Sequence, residues 1–284
     1  MEILLTLLYA LFIGFFNIFR KSAIKNSNES VVLVLFTTTA FLLSLIWVPF
    51  GVATSFNALL LLAAKGFIIA LSWYLTLKVL KTTDLSMVTV TNALSGILSF
   101  IVGIFFFNET AGIWQIIGST IIILGVAGVG FLNKDSKEDT TPLEFVVLLI
   151  TALITTTSGT IDKTTTSLLT PQQVQFWFLL FACFFSWLFF AFDCIINKKL
   201  LIKKQDFKNP WIYLVGLFLF VGDFMLFSAY KTPNSQMITI TILSKLQIVV
   251  TMIGGVLIFK ENSFWKKLGL TAFIVLGAIL IASF

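Results

Sequence analysis

The stretch VLKTTDLSMVTVTNALS (residues 79–95) recurs 150 positions later in the chain as AYKTPNSQMITITILSK (residues 229–245). The matched residues, all in register, are Lys81, Thr82, Met87, Thr89 and Thr91 against Lys231, Thr232, Met237, Thr239 and Thr241. Unrelated apolar sequences share scattered leucines and valines, but they rarely share lysines and threonines in the same order. The stretch therefore predicts that the chain contains an internal duplication.

A second pair of segments extends the duplication. Residues 105–118 (FFFNETAGIWQIIG) resemble residues 257–269 (LIFKENSFWKKLG). The matched residues are Glu109, Trp114 and Gly118 in the first half and Glu261, Trp265 and Gly269 in the second. Near the start of each half, Arg20-Lys21 matches Asp162-Lys163 more weakly. Both ends of each half are thus represented in the repeat.

The composition predicts a membrane protein. Of the 284 residues, 58% are hydrophobic and 11% are charged, against roughly 25% charged in a soluble domain. Ten apolar runs are each close to the roughly 20 residues that cross a bilayer. These runs are 3–19, 31–50, 59–80, 85–107, 113–132, 143–161, 174–196, 211–230, 237–259 and 264–283.

The polar segment NKDSKEDTTP (residues 133–142) divides these runs into five and five, so it is the predicted linker. The predicted units are residues 1–132 and 143–284. An odd number of spans per half inverts the second half in the membrane. We therefore expect an all-α integral membrane protein whose ten transmembrane helices form two inverted five-helix repeats, with a substrate site between the repeats near the midplane.

Loop charges predict the orientation. Of the lysines and arginines, fifteen lie in odd-numbered loops and two, Lys163 and Lys231, in even-numbered loops. The positive-inside rule then places the odd loops in the cytoplasm and both termini outside. The first span lacks preceding basic residues and an A-x-A cleavage signal, which favours a retained helix. The expected location is the plasma membrane, in a bacterium the cytoplasmic membrane.

These features resemble the drug/metabolite transporter superfamily with EamA-like repeats. The resemblance rests on the ten spans in two halves, on Asn108-Glu109 and Lys260-Glu261 at span ends, and on glycines in the last span of each half. It implies a central cavity surrounded by spans one to four and six to nine. The fifth and tenth spans would then be packing or dimer helices, in a monomer or homodimer.

Two charged residues lie near the middle of predicted spans. Lys245 is in the ninth span and Asp223 is in the eighth. A charge at the bilayer centre costs about 2.5–3.5 kcal/mol, so it needs a partner, a cavity or a function. One interpretation is that Lys245 binds an anionic or zwitterionic substrate and that Asp223 binds an amine or carries a coupling proton. The other is a buried structural ion pair between them. The repeat places Ser95 opposite Lys245 and Trp73 opposite Asp223.

Further candidates for the substrate site are weaker. Lys65, inside the third span, either extends to the membrane interface or adds a cation at the cavity mouth. Asn17, Asn92 and Gln247 are polar at depth, where they either join helices or contact substrate. Trp73, Tyr74 and Trp177 either form aromatic walls or anchor at the interface.

Several classes of function are excluded or disfavoured. The chain has no histidine, which excludes Ser-His-Asp or Cys-His catalysis and histidine-ligated metals. No G-x-x-x-x-G-K-[ST] motif is present, so ATP is not the expected energy source. We expect a secondary transporter of a small anionic or zwitterionic metabolite, for example an amino acid or a phosphorylated metabolite, that is neither an enzyme nor a nucleic-acid binder and has no cofactor or metal. The alternative is a transporter of a cationic amine or drug using Asp223 and aromatic residues. An enzyme acting on lipid-linked substrates is a distant third.

Overall fold

A computed structural model describes residues 1–82, 85–132, 142–259 and 264–283. Every regular element in these ranges is helical. The α-helices are α1 (Glu2–Ile24), α2 (Glu29–Ser44), α3 (Phe56–Leu80), α4 (Leu85–Phe107), α5 (Ile113–Leu132), α6 (Pro142–Leu168), α7 (Pro171–Ile196), α8 (Pro210–Lys231), α9 (Met237–Leu243), α10 (Gln247–Phe259) and α11 (Phe264–Ser283). Short 3₁₀ helices cover Leu45–Phe50, Asp206–Lys208 and Ser244–Leu246.

Local sequence signals set several helix starts. Asn28 accepts a hydrogen bond from the Ser30 backbone N–H at 3.0 Å and begins α2. Thr170 and Gln173 form a reciprocal capping box at α7, followed by a proline in the first turn. Asn209 begins α8 by accepting a hydrogen bond from the Trp211 backbone N–H at 3.2 Å, and it is also followed by proline. These side chains satisfy N–H groups that have no partner within the helix.

The helices confirm a membrane protein. Seven of the described helical stretches are long and apolar enough to cross a bilayer. They are Glu2–Ile24, Glu29–Phe50, Phe56–Leu80, Val146–Leu168, Pro171–Ile196, Pro210–Lys231 and Met237–Phe259. Shorter apolar helical segments are Ser95–Phe107, Ile113–Gly125 and Ala272–Ile281. Most of the predicted linker lies outside the described residues.

The sixth predicted span, residues 143–161, is shorter than the helix in the structure. α6 continues through the polar DKTTTS run to Leu168. The hydroxyls of Thr164, Thr165 and Thr166 each donate to the backbone carbonyl four residues earlier, at 2.7–2.9 Å. Because these bonds satisfy the hydroxyls inside the helix, the polar run does not end it. Asp162 is therefore a residue within a helix and not in a loop.

The ninth predicted span is not one continuous α-helix. It consists of α9, the 3₁₀ turn Ser244–Leu246 and α10. The Ser244 hydroxyl donates to the Thr241 carbonyl at 2.6 Å, which supports the tighter turn. Lys245 is the central residue of this turn. Interrupted helices are common where a membrane helix lines a cavity.

Helix packing brings distant parts of the chain together. α1 packs along α8, α3 along α6, α2 along α7, and α5 along α11. α1 and α8 run antiparallel, because Ala23 near the end of α1 accepts a hydrogen bond from Asn209 while Ile13 packs against Gly222. Gly118 and Gly277 let α5 and α11 approach closely, since a Cβ on either would lie within 2.7 Å of the other's carbonyl oxygen.

Candidate functional site

A cavity of about 160 Å³, lined by both polar and apolar side chains, lies between the helices. Among the described residues, seven α-helices contribute to its wall: α1, α3, α4, α6, α7, α8 and α9. The Ser244–Leu246 turn and the start of α10 complete it. Its ionisable side chains are Tyr9, Arg20, Lys65, Asp162, Asp223, Tyr230 and Lys245. Such a concave site with a few convergent polar groups is the usual form of a small-molecule site.

Six of the nine predicted site residues line this cavity: Lys245, Asp223, Asn17, Trp73, Lys65 and Gln247. Trp73 forms part of an aromatic wall, with its ring 5.4 Å from that of Phe36 and 6.1 Å from that of Phe178. Asn92 is a residue of α4, but its side chain lies outside the described part of the chain. Tyr74 and Trp177 do not line the cavity.

Tyr74 belongs to a polar cluster near the ends of α3 and α7. Its hydroxyl donates to Asp193 at 2.6 Å and accepts from Lys78. Asp193 also accepts from Ser30 at the start of α2. Trp177 donates from its indole N–H to the Val52 carbonyl at 2.6 Å, in the connection before α3. The contacts of both aromatic residues join helix ends, outside the cavity wall.

Lys65 does not extend to the membrane interface. It is 3% exposed and forms an ion pair with Asp162, which is also 3% exposed. The Lys65 ammonium also lies 3.9 Å from the ring centroid of Phe178 and 4.4 Å from that of Phe227. The interface interpretation is therefore wrong, because a nearby carboxylate and two aromatic faces stabilise the ammonium inside the protein.

Lys245 and Asp223 do not form the ion pair that the sequence left open. The Lys245 ammonium donates to Ser95 Oγ at 2.7 Å. Among the described residues no carboxylate lies within ion-pair distance of Lys245, which is 5% exposed. The turn at Ser244–Leu246 directs this side chain towards α4, where it also lies against Gly96. Ser95 is the position that the repeat aligns with Lys245.

Asp223 is buried, and its carboxylate oxygen Oδ2 has no hydrogen-bond partner within the described structure. The charged groups acting most strongly on it are Lys65 and Asp162. The hydroxyl of Tyr9 on α1 is in turn within the field of Asp223. Asp223 thus belongs to an acidic side of the cavity with Asp162, whose charge Lys65 already balances.

Arg20 is the site residue that sequence reasoning assigned wrongly. It was counted in the first loop, but it lies in α1, is 4% exposed and lines the cavity. Its Nη2 donates to Asn17 at 3.2 Å, and Asn17 donates to Gln247 on α10 at 3.3 Å. The missed signal was the predicted repeat match of Arg20 with Asp162, because both of these charged residues are buried.

The fold and this site define a class: a polytopic α-helical membrane protein with a charged cavity between its helices. The profile of the EamA-like transporter family matches residues 1–131 and 143–283, so the chain belongs to that family. The expected relationship to drug/metabolite transporters is therefore confirmed. Members of this family are transporters and not enzymes.

Comparison with solved structures agrees with the fold. The crystal structure of one protein superposes on this chain with a TM-score of 0.70 at 13% sequence identity. The match covers 99% of this chain and 95% of the other. No curated protein matches the chain.

The buried Lys65–Asp162 ion pair is expected to stabilise the folded protein. Asp162→Asn leaves the Lys65 ammonium without its counter-charge, which is expected to lower the free energy of unfolding by about 3–5 kcal/mol. Lys65→Met combined with Asp162→Asn removes both charges and is expected to regain most of that loss. The measurement is denaturant unfolding in detergent micelles.

The control is Lys81→Gln. The Lys81 side chain is 61% exposed and pairs with Glu29 at 2.7 Å, so its loss is expected to cost less than about 1 kcal/mol. Equal stability of Asp162→Asn and wild type would contradict a stabilising role for the pair.

Proposed function

We propose that this protein is a gradient-driven secondary transporter of a small hydrophilic metabolite, anionic or zwitterionic, which binds in the central cavity and crosses by alternating access. The observation that carries the proposal is the charge of the cavity wall. The Lys65–Asp162 pair is neutral as a whole. Among the described lining residues, the remaining charged groups are Arg20 and Lys245 against Asp223, a formal surplus of one positive charge. Buried cations without a carboxylate partner favour a ligand that brings its own negative charge.

The size of the cavity supports a small substrate. Its volume of about 160 Å³ is below the roughly 300–1,000 Å³ of pockets that enclose drug-sized ligands. Amino acids and short phosphorylated metabolites are smaller than drug-sized ligands. The sequence contains no ATP-binding loop. We therefore propose that a gradient of the solute or of an ion drives the transport.

The proposed architecture is ten spans in two inverted repeats, residues 1–132 and 143–284, joined by 133–142. Helix pairs support it, because exchanging equivalent helices converts the α1–α8 contact into the α6–α3 contact, and both are extensive. Ser95 and Lys245, which the repeat aligns at the offset of 150, are hydrogen-bonded to each other. Two equivalent positions in contact are expected where the repeats meet.

A cationic amine is the second candidate substrate. Its support is the unpaired Oδ2 of Asp223, together with the aromatic rings of Tyr9, Phe16 and Trp73 on the cavity wall. A purely cationic ligand would add to the positive surplus of Arg20 and Lys245, which disfavours it.

Lys245→Met is the direct test of anion recognition. It keeps the length and apolar stem of the side chain and removes the charge. Because a charge-assisted hydrogen bond contributes about 1.5–3 kcal/mol, anionic ligands are expected to bind about 10-fold or more weakly. The measurement is a thermal-shift titration of purified protein with a panel of organic anions and zwitterions.

The matched control is Lys231→Met, because Lys231 donates to the Thr166 carbonyl at the end of α6 and does not line the cavity. Its ligand affinities are expected to equal those of wild type. Anionic ligands that bind Lys245→Met with unchanged affinity would refute the proposed role of Lys245.

Asp223 is the proposed site of proton coupling, since a buried carboxyl in the cavity can gain and release a proton. In proteoliposomes, uptake by wild type is expected to respond to a pH gradient, and uptake by Asp223→Asn is not. Both are measured at saturating substrate, so that a change in affinity does not imitate a change in coupling. An equal response to the gradient in the two proteins would remove Asp223 from this role.

The proposed orientation places both termini outside the cytoplasm. Moving Arg20 from the first loop to the interior removes one of the fifteen odd-loop charges and leaves the asymmetry intact. A C-terminal reporter that is active only in the cytoplasm is therefore expected to be inactive. An active reporter, with an active control fused to a cytoplasmic protein, would reverse the assignment.

A further inference from the structure

We infer that the connection between α7 and α8 binds the headgroups of anionic phospholipids at the membrane surface. The binding surface, named here the basic surface, consists of five exposed lysines and the apolar side chains beside them. The lysines are Lys198, Lys199, Lys203, Lys204 and Lys208. They do not line the cavity, so lipid binding at this surface goes beyond the proposed function and does not depend on it.

The five lysines concentrate positive charge that the protein does not neutralise. They lie within eleven residues, 198–208, which contain one acidic residue, Asp206. Asp206 is buried and accepts a hydrogen bond from the Lys203 backbone N–H at 2.7 Å. Within the part of the chain that the structure describes, no carboxylate lies within ion-pair distance of any of the five ammonium groups. Their charge is therefore available to an anionic partner outside the protein.

The connection that carries these lysines is fixed to the helices. Leu201 and Ile202 pack against the hydrophobic core. Asn209, at the other end of the connection, donates to the Ala23 carbonyl at 3.0 Å and to the Ser27 hydroxyl at 3.2 Å. Because these contacts already order the backbone, a ligand that binds the lysines does not have to order it.

Lys198 occupies a backbone position that usually belongs to glycine. It follows Asn197, the C-cap of α7, with a φ of 50°, in the left-handed region that lysine seldom adopts. The backbone N–H groups of Lys198 and Lys199 donate to the carbonyls of Ile195 and Cys194 at 3.2 Å each, which is the pattern that ends many helices at a glycine. The lysine brings a positive charge to the negative end of the helix dipole and adds it to the four lysines that follow.

Exposed apolar side chains lie among and beside the lysines. Leu200 is 70% exposed and Phe207 is 52% exposed, and Ile195, Ile196 and Trp211 extend the apolar surface onto the flanking helices. α7 and α8 are both long and apolar enough to cross a bilayer, so the connection between them is expected at a membrane surface. Ammonium groups next to apolar and aromatic side chains match the level of a bilayer where phosphates meet acyl chains. A soluble anion would match the lysines alone.

The experiment compares lipids that differ in the charge of the headgroup. Purified full-length protein in a neutral detergent is titrated with dioctanoyl phosphatidylglycerol and with dioctanoyl phosphatidylcholine, and stabilisation on heating reports affinity. Phosphatidylglycerol is expected to bind at least about 10-fold more tightly than phosphatidylcholine, and to bind more weakly as NaCl is raised, because salt screens exposed charges. Glycerol phosphate, which has no acyl chains, separates a lipid ligand from a free phosphate.

The test variant combines Lys203→Gln with Lys204→Gln. Each lysine near a membrane surface contributes a factor of about 5 to the binding of anionic lipid, so this variant is expected to bind phosphatidylglycerol about 10- to 30-fold more weakly. Lys203→Arg combined with Lys204→Arg keeps both charges and is expected to bind as wild type does. Three of the five lysines stay unchanged, so the connection keeps most of the charge that is expected to orient the protein.

The matched control combines Lys25→Gln with Lys81→Gln. It removes two exposed lysines from the same end of the helices, but each of these has a partner in the protein, the Phe259 ring at 4.5 Å and Glu29 at 2.7 Å. Its affinity for phosphatidylglycerol is expected to stay within about 3-fold of wild type. Lys245→Met, which changes the cavity, is expected to bind the lipid as wild type does.

Size-exclusion chromatography verifies that each variant is folded before it is titrated. Equal affinity of wild type for the two lipids, or equal losses in the two glutamine variants, would overturn the inference. An arginine variant as weak as the test variant would also overturn it, as would glycerol phosphate that displaces the lipid at the same concentration. Phosphatidylglycerol binding that requires Lys203 and Lys204 but not Lys245 supports it, whichever solute the cavity binds.

Discussion

The buried ion pair between Lys65 and Asp162 joins α3 to α6, two helices that are long and apolar enough to cross a bilayer. Lipid offers charged and polar groups no hydrogen bonds, so each must find a partner within the protein or in a water-accessible cavity. Other polar contacts obey the same constraint. The Asp193 cluster connects α2, α3 and α7, and the Arg20–Asn17–Gln247 chain connects α1 to α10.

The same constraint gives the cavity its character. Where a charge is matched, as in the Lys65–Asp162 pair, it stabilises the packing of helices. Where it is not matched within the described residues, as at Arg20 Nε and Asp223 Oδ2, we propose that a solute of suitable charge supplies the missing partner. In this proposal, structural and binding roles belong to neighbouring side chains of one cavity, and the presence or absence of a protein partner separates them.

Glycine and threonine control how closely the helices approach. Gly118 and Gly277 bring α5 and α11 into backbone contact away from the cavity wall. Threonines 164–166 allow α6 to continue through a polar run by bonding to their own helix. That extension places Asp162 opposite Lys65. The break at Ser244–Leu246 has the complementary effect on the ninth span, since it directs Lys245 towards Ser95.

Hydropathy and the predicted internal duplication, both read from the sequence alone, indicated the membrane class, the family resemblance and the positions of most helices. Lys245 and Asp223 were recognisable as site candidates because a charge within an apolar run is conspicuous in one dimension. Two other charged residues of the cavity, Asp162 and Arg20, were not recognisable in this way. Asp162 and Arg20 appeared to be loop residues, since polar neighbours obscure the helix that contains them. Only the tertiary structure decided that Lys65 pairs with Asp162, that Lys245 contacts Ser95, and that Asp223 keeps an unpaired oxygen. Pairing depends on how helices far apart in sequence rotate and pack, and the pattern along a single helix does not contain that information.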